Sequence, residues 1–493
     1  METKQENSLS APPHTIFDTR QKRLIVATVT CAGTFSLLVS NIYFPAMPAI
    51  ADDLNVSTEL VSLTVTSFLI FQGLAPSVWG PLSDVKGRRV AYTLTLLLSL
   101  AASIGLAVTN NYPALLILRC LLAAGCASTT SIGSGVVGDI TTSADRGGYM
   151  GVFQGGSLIS IAVGPVIGGA MSGSPGLGWH GIFWFLAIYT GVLLLSILVL
   201  LPETLRLLVS NGSHSPGAKF NQYPLKLYQR LTTIEWQAEK SPENVVPPRI
   251  DMLGPVRILF TRYSAPIILF FSVYYATWQM TMTAMSSLFK ERYGMTELQI
   301  GLAFIANGVG AIIGTIGSGK LLNKDFNRVE ARFRAQNATT PQAPFAATTA
   351  YTPGFPLETA RLRMMPIYAL LQCMSILLYG WTVHFSDKVP IAIPIIATFI
   401  TGWTAVSNQS ITTTYLVDIF PGRNAASTAA LNITRCLMAA GGTAAVTPLI
   451  DACGIGWTFT ICVAVQAVAL VGLAVQWRFA GKWRARQFAR VDS

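Results

Sequence analysis

Charge is what this chain has least of. Asp, Glu, Lys and Arg together make up 12% of its 493 residues, about half the share usual in soluble domains. That deficit excludes a solvated surface of ordinary size. Acid is scarcer still, 23 Asp and Glu against 34 Lys and Arg. The seven cysteines form no C-x-x-C pair, so neither a disulfide framework nor a zinc site is expected. No H-E-x-x-H or G-x-S-x-G occurs, and His14, His180, His214 and His384 are scattered outside the apolar centres. Nothing therefore points to an enzyme, a metal or a cofactor. The first stretch is polar and the first apolar run is long enough to span, so no cleavable signal peptide is expected.

What the chain has instead is long apolar runs, with 51% hydrophobic residues and a mean hydropathy of +0.50. Runs of about twenty residues match the hydrocarbon thickness of a bilayer. Twelve are read, at 24–45, 60–80, 90–108, 113–137, 148–171, 181–201, 264–286, 298–320, 364–384, 390–416, 425–449 and 456–477. The expected fold is an all-α membrane protein with twelve transmembrane helices in two six-helix bundles. Its parts are an N-terminal tail 1–23, a first bundle 24–201, a central loop 202–262, a second bundle 263–477 and a basic tail 478–493. A second insertion, 323–363, is rich in Ala, Thr and Pro and is expected to be mobile.

An even number of spans puts both termini on one side, and charge selects which. With the termini inside, 29 of the 34 Lys and Arg fall in inside segments and three, Lys290, Arg292 and Lys388, outside. That split follows the positive-inside rule. The net charge of +11 is thus a topology signal rather than a nucleic-acid footprint. Both termini are expected in the cytosol, the bilayer as the surrounding medium, and a monomer in the plasma membrane.

Between spans two and three stands Gly80-Pro-Leu-Ser-Asp84-Val-Lys-Gly87-Arg88-Arg89. Gly80 and Gly87 suit a tight two-helix turn and close backbone approach. Asp84 can sit at a helix N-terminus or pair with a neighbouring Arg, and Arg88 and Arg89 would anchor the loop at the cytosolic surface. A latch of this kind can form in one conformation and break in another. Gly319-Lys-Leu-Leu-Asn323-Lys-Asp325 holds the corresponding place in the second half, with Asn323 at the acidic position, so a weaker latch is expected there. Span five contains Gly164-Pro165-Val-Ile-Gly168-Gly169, where Pro165 removes a backbone hydrogen bond and the glycines permit bending or close helix packing. Asp139 with Arg146, and Asp418 with Arg423, form two further charge clusters at inner loops.

The segment Gly80–Arg89 fits the G-x-L-S-D-x-x-G-R-R/K pattern of the major facilitator superfamily, and Gly164–Gly169 resembles the antiporter motif of its drug:proton exporters. Leu201-Pro-Glu203-Thr-Leu-Arg206, Ser40–Ala46, Gly138–Thr141, Phe355–Arg363 and Asn432–Leu437 extend the likeness to the fungal twelve-span drug:proton antiporter branch, which includes quinidine-resistance and citrate exporters. The resemblance implies export of a small molecule by alternating access, with protons as a possible partner. One departure bears on cargo. The citrate type tends to carry Gln three residues after the fourth-span Arg, where this chain has Leu122.

The sharpest clue is an asymmetry at membrane depth. Arg119 and Arg435 lie inside spans four and eleven, while every Asp and Glu is read in a loop or at a span end. A cation there marks a substrate path or a paired site. Without a core carboxylate, an anionic or strongly polar cargo is the natural counter-ion; the alternatives are that Arg435 pairs with backbone carbonyls or a loop acid, or that Arg119 only stabilises the outer end of its helix. Asn41, Gln72, Gln154, Trp278, Gln279, Asn307, Asn408, Gln409 and Asn432 are polar or aromatic groups at the same depth, and must face protein or a wet cavity. Asp52, Asp53, Glu59 and Asp139 are the acids nearest to any proton route. If none titrates, the membrane potential alone would expel an anion. A non-transporting membrane sensor is the competing class, and the short tails speak against it.

Overall fold

The computed structural model describes residues 15–142, 145–174, 176–214, 222–232, 234, 254–337, 355–420 and 424–491. Among them there is no strand. Twelve long helices follow in order: α1 Thr19–Asn41, α2 Thr58–Lys86, α3 Arg88–Val108, α4 in two pieces (Tyr112–Cys126 and Thr129–Ile140), α5 Arg146–Ser172 and α6 His180–Leu200. The second half comprises α7 Ala265–Tyr293, α8 Glu297–Asn337, α9 Met365–His384, α10 Ala392–Ile419, α11 Asn424–Cys453 and α12 Ile455–Val491. Local sequence explains several ends. Ser57 Oγ accepts from Leu60 N and Asn111 Oδ1 from Ala114 N, capping α2 and α4. Gly294, at φ +61°, ends α7 in the left-handed conformation.

Ten of these helices are long and apolar enough to cross a membrane. The remaining two, α7 and α10, bury what makes them polar. α7 hides Thr277, Trp278, Gln279, Thr281 and Thr283; α10 hides Thr398, Thr401, Thr404, Ser407 and Asn408. α7 packs on α11 and α12, and α10 on α8 and α9. Their low hydropathy reflects an interior position.

Three boundaries depart from the sequence reading, the first being α12, which does not end at 477 but continues through the expected basic tail to Val491. α8 does not stop near Lys320 but continues through the first part of the 323–363 insertion to Asn337. An ion pair one turn apart, Arg334–Glu330, and the seating of Phe326 and Phe333 against Phe355 hold it helical. Residues 338–354 lie outside the description. α4 is broken at Ala127–Ser128, where Tyr92 Oη donates to Thr129 O and Thr129 Oγ1 donates to Ala32 O of α1.

The first six helices pack among themselves (α1 on α5, α2 on α4, α3 on α4 and α6), and the second six likewise. The two groups meet along two seams, α5 against α8 and α2 against α11. Helices two and eight, and five and eleven, are counterparts under a six-plus-six repeat, so the seams are related by the pseudo-twofold.

Candidate functional site

The basic face is the one carrying the start of α1, the end of α12 and the α2–α3 hairpin. Among the described residues the close contacts of the seams lie away from it. A Cβ at Gly169 would sit 2.3 Å from Glu297 O, one at Gly301 2.5 Å from Pro165 O, and one at Gly308 2.3 Å from Ala162 Cα. Across the other seam Thr66 and Thr443 hydroxyls lie 3.0 Å apart, and a Cβ at Gly73 would meet Cys436. Beyond the seams, Lys290 Nζ reaches Asp52 Oδ2 at 2.9 Å and Glu297 Oε1 at 3.4 Å. Gly155, Ala162 and Gly169 recur every seven residues, so they share one stripe of α5. Gly155, nearest the basic face, has nothing within 4 Å. The molecule is therefore closed on one side and splayed on the basic face.

The α2–α3 hairpin turns on one residue. Gly87 has φ +110°, and a Cβ there would lie 2.4 Å from Glu203 Oε2, so both conformation and space demand glycine. Glu203 is fully buried and accepts from four backbone amides: Arg88 N at 2.9 Å, Arg89 N at 3.2 Å, and Thr204 N and Leu205 N at 3.0 Å each. It caps α3 from the far end of the bundle. Burial raises its carboxyl above the ordinary value, the amides pulling the other way.

The expectation of Arg88 and Arg89 as surface anchors is corrected here. Arg88 is largely buried, joining Asp84 Oδ1, Ser83 Oγ (2.7 Å) and Asp139 Oδ2 (3.1 Å). Arg89 is buried and donates to Leu198 O at 2.7 Å. Asp84 thus takes the Arg-pairing option. Gly80 lies inside α2 with nothing within 4 Å, so the close approach expected there is absent in this conformation. The side chain of Arg146 and all of Arg423 fall outside the described residues.

In the second half the pairing acid is not at the position of Asn323, and its contacts are longer than those of Arg88 in the first half. Asp325, two residues on, is buried and lies 3.7 Å from Arg363 Nη1 and 4.0 Å from Arg328 Nη1. Arg361 Nε meets Asp418 Oδ2 at 2.7 Å, both side chains being mostly buried. Glu203-Thr-Leu-Arg206-Leu207 and Glu358-Thr-Ala-Arg361-Leu362 share E-T-x-R-L. In each, the Arg reaches the end of a counterpart helix: Arg206 Nε donates to Asp139 O (3.1 Å), Arg361 to Asp418.

In span five, Gly164 and Gly168 press on α1, a Cβ at Gly168 falling 1.9 Å from Ile42 O, while Pro165 and Gly169 press on α8. The motif is a two-sided packing surface that joins one bundle internally and touches the other.

At mid-membrane, α2 carries two contacts one turn apart. The Arg119 guanidinium lies 4.6 Å from the Phe68 ring and 3.8 Å from that of Tyr43. The Arg119 residue is 1% exposed, and its Nε and Nη1 have no hydrogen-bond partner. Four residues on, Gln72 O accepts from Asn432 Nδ2 (3.2 Å), and Asn432 Oδ1 accepts from Arg435 Nε (3.1 Å) and Nη2 (2.8 Å). Arg435 lies over Tyr275 at 4.6 Å, and Tyr275 meets Trp278 edge-on. Gln72 Oε1 and Trp278 Nε1 are buried without partners. Among the described residues no carboxylate pairs with either Arg. Gln279 is buried nearby on α7, and Gln154 is exposed on α5. Asn41 bonds its own helix (Leu37 O, 2.7 Å), and Asn307 ties α8 to Thr398 O of α10 (3.1 Å). These last two serve packing in this conformation. Asp53 accepts from Trp179 Nε1 at 2.8 Å, and Glu59 is exposed.

The family model described as Major Facilitator Superfamily matches residues 29–443. The chain belongs to that superfamily. Among its relatives, "Citrate exporter 1" of Aspergillus niger is 36% identical over all of this chain and 92% of its own. "MFS antiporter QDR2" of Candida albicans is 32% identical, over 91% and 87%. "Quinidine resistance protein 1" of Saccharomyces cerevisiae is 30% identical, over 94% and 84%. Of solved structures, a D-xylose-proton symporter superposes with a TM-score of 0.65 at 14% identity, over 94% of this chain and 99% of that one. The human organic anion transporter MFSD10 gives 0.58 at 17%, over 92% and 99%. This facilitator is a multi-pass membrane transporter of small molecules and not an enzyme.

Sequence reasoning missed the roles of Glu203, Asp325 and Arg361. The signal was present for two of them, as the repeated E-T-x-R-L. For Asp325 no sequence signal distinguished it from Asn323.

Proposed function

We propose that this facilitator exports small organic anions from the cytosol across the plasma membrane, with the basic face inside and the structure in its cytosol-open state. The observation that carries this reading is the pair of guanidinium groups at membrane depth, one in each bundle, Arg119 buried and Arg435 partly buried, with no carboxylate paired to either among the described residues. A buried unpaired charge is costly, and a carboxylate or phosphate cargo would supply the counter-charge and bidentate acceptors for the N–H fork.

Arg435, with Gln72, Asn432 and Trp278, binds the cargo entering from the cytosol. Arg119, sealed behind Tyr43 and Phe68, is reached as the bundles rock. The relatives named for citrate and for quinidine resistance support export of organic molecules, and Leu122 speaks against citrate itself. An interior-negative potential drives an anion outward with about 2.3 kcal/mol per charge per 100 mV. Proton antiport is the second driving mode; in it Asp52, Asp53 or Asp139 exchanges its present partner for a proton.

Efflux of labelled organic acids and of toxic cations from cells with and without the chain tests the cargo class. Accelerated efflux of acids alone is the expected result, and accelerated efflux of cations alone would overturn it. Collapse of the proton gradient at clamped potential then separates the two driving modes.

A further inference from the structure

The central segment holds a short helix, Leu225–Leu231, that takes no part in the site proposed above. One face is built into the protein. Leu225 and Tyr228 are buried; Tyr228 Oη donates to Leu200 O at the inner end of α6 (2.8 Å), and Phe17 meets the Tyr228 ring edge-on. Gln21 of α1 donates to Tyr228 O at 3.2 Å, and Thr232 Oγ1 to Ile16 O at 2.6 Å. The helix is thereby fixed beneath the ends of α1 and α6.

The other face is amphipathic in the wrong sense for water. Leu227 and Leu231, one turn apart, are 43% and 65% exposed, and Tyr223 just before them is exposed too. Beside them Lys226 and Arg230, also one turn apart, are both exposed. This apolar stripe is continuous with an existing lipid contact. On α6 the exposed residues Ile188, Val192, Leu195 and Val199 form one outward strip. It ends one residue before Leu200, whose carbonyl holds Tyr228. The helix therefore lies where hydrocarbon gives way to headgroups. Tyr and Leu suit that depth, with Lys and Arg reaching outward.

We propose that Tyr223–Leu231 is an interfacial anchor, seated on the leaflet at the basic face, whose Lys226 and Arg230 take the headgroups of anionic phospholipid. Charge complementarity favours lipid over a soluble partner, since the basic pair flanks an apolar stripe level with the bilayer edge.

The test is photocrosslinking in the full-length protein. Benzoylphenylalanine replaces Leu231, or Arg332 on the exposed extension of α8 as control, in nanodiscs of phosphatidylcholine with about 30% phosphatidylserine. A phospholipid adduct is expected at 231 and not at 332, with the ratio of phosphatidylserine to phosphatidylcholine in the adducts about threefold or more above the mixing ratio. Lys226→Glu with Arg230→Glu should return the adducts to the mixing ratio while the lipid adduct itself persists. A crosslink from 231 to another segment of this chain, no adduct at all, or a protein adduct in native membranes would each overturn the proposal. So would enrichment unchanged by the charge reversal.

Discussion

Two neighbouring glycines should fail in different ways. A methyl group at position 169 would come within 2.3 Å of Glu297 O and 3.2 Å of Leu298 Cα, backbone atoms of the other bundle. At position 168 it would come within 1.9 Å of Ile42 O, in the same bundle. Overpacking of this kind costs about 1–3 kcal/mol. In Gly169→Ala the cost applies only while α5 and α8 touch, so it acts on the equilibrium between states. A differential cost of 1–3 kcal/mol is about a 5- to 150-fold shift away from the conformation seen here. In Gly168→Ala the clash is present in every state and lowers global stability.

The readout is Gly155→Cys, on the same stripe of α5 but open to the basic face, with the exposed Cys31 and Cys453 replaced by Ser. Impermeant maleimide applied to the basic face should label position 155. Adding Gly169→Ala should suppress that labelling with little change in melting temperature. Adding Gly168→Ala should lower the melting temperature and leave labelling of the folded fraction alone. Equal labelling in both backgrounds would refute the assignment of Gly169 to the inter-bundle seam.

Glu203→Ala strips the acceptor from four backbone amides; one cap alone is worth about 0.5–2 kcal/mol, so a fall of at least that size is expected in thermal unfolding. Because burial raises the Glu203 carboxyl, its contribution to stability is complete below the ordinary Glu value of about 4.3 and is lost as pH climbs through the raised value. Wild type should lose stability over that rise, and Glu203→Gln should not; identical pH profiles would remove Glu203 as the cause. A double-mutant cycle of Arg361→Ala and Asp418→Ala should give a coupling of about 0.5–3 kcal/mol in unfolding, and no coupling would show the 2.7 Å pair to be energetically idle. Lys290→Ala removes two partly exposed ion pairs, to Asp52 and Glu297, each worth no more than about 1 kcal/mol, while labelling at Gly155→Cys should fall.

Most of the helices were readable because hydrocarbon leaves long apolar runs, and the hairpin because Gly87 and its neighbours are a local pattern. α7 and α10 were readable as spans only by length, since Thr, Trp, Gln and Asn facing protein dilute their hydropathy. The end of α8 was not readable. A polar helix leaving the bilayer has no apolar signal, and its hold comes from Phe355, far along the chain. Glu203 illustrates the same limit: its amide partners on α3 lie more than a hundred positions away. Arg119 and Arg435 were singled out by charge alone. That Arg119 meets α2 at Phe68 while Arg435 is tied to it through Asn432 at Gln72 is a property of packing, invisible to spacing within either span.

The central claim, that a guanidinium at mid-membrane binds an anionic cargo, is tested most directly at Arg435. Efflux of preloaded labelled organic acid should be compared between wild type, Arg435→Lys and Arg435→Ala at equal surface expression. Loss of efflux in Arg435→Ala with partial retention in Arg435→Lys is the predicted result. Undiminished efflux in Arg435→Ala would contradict it.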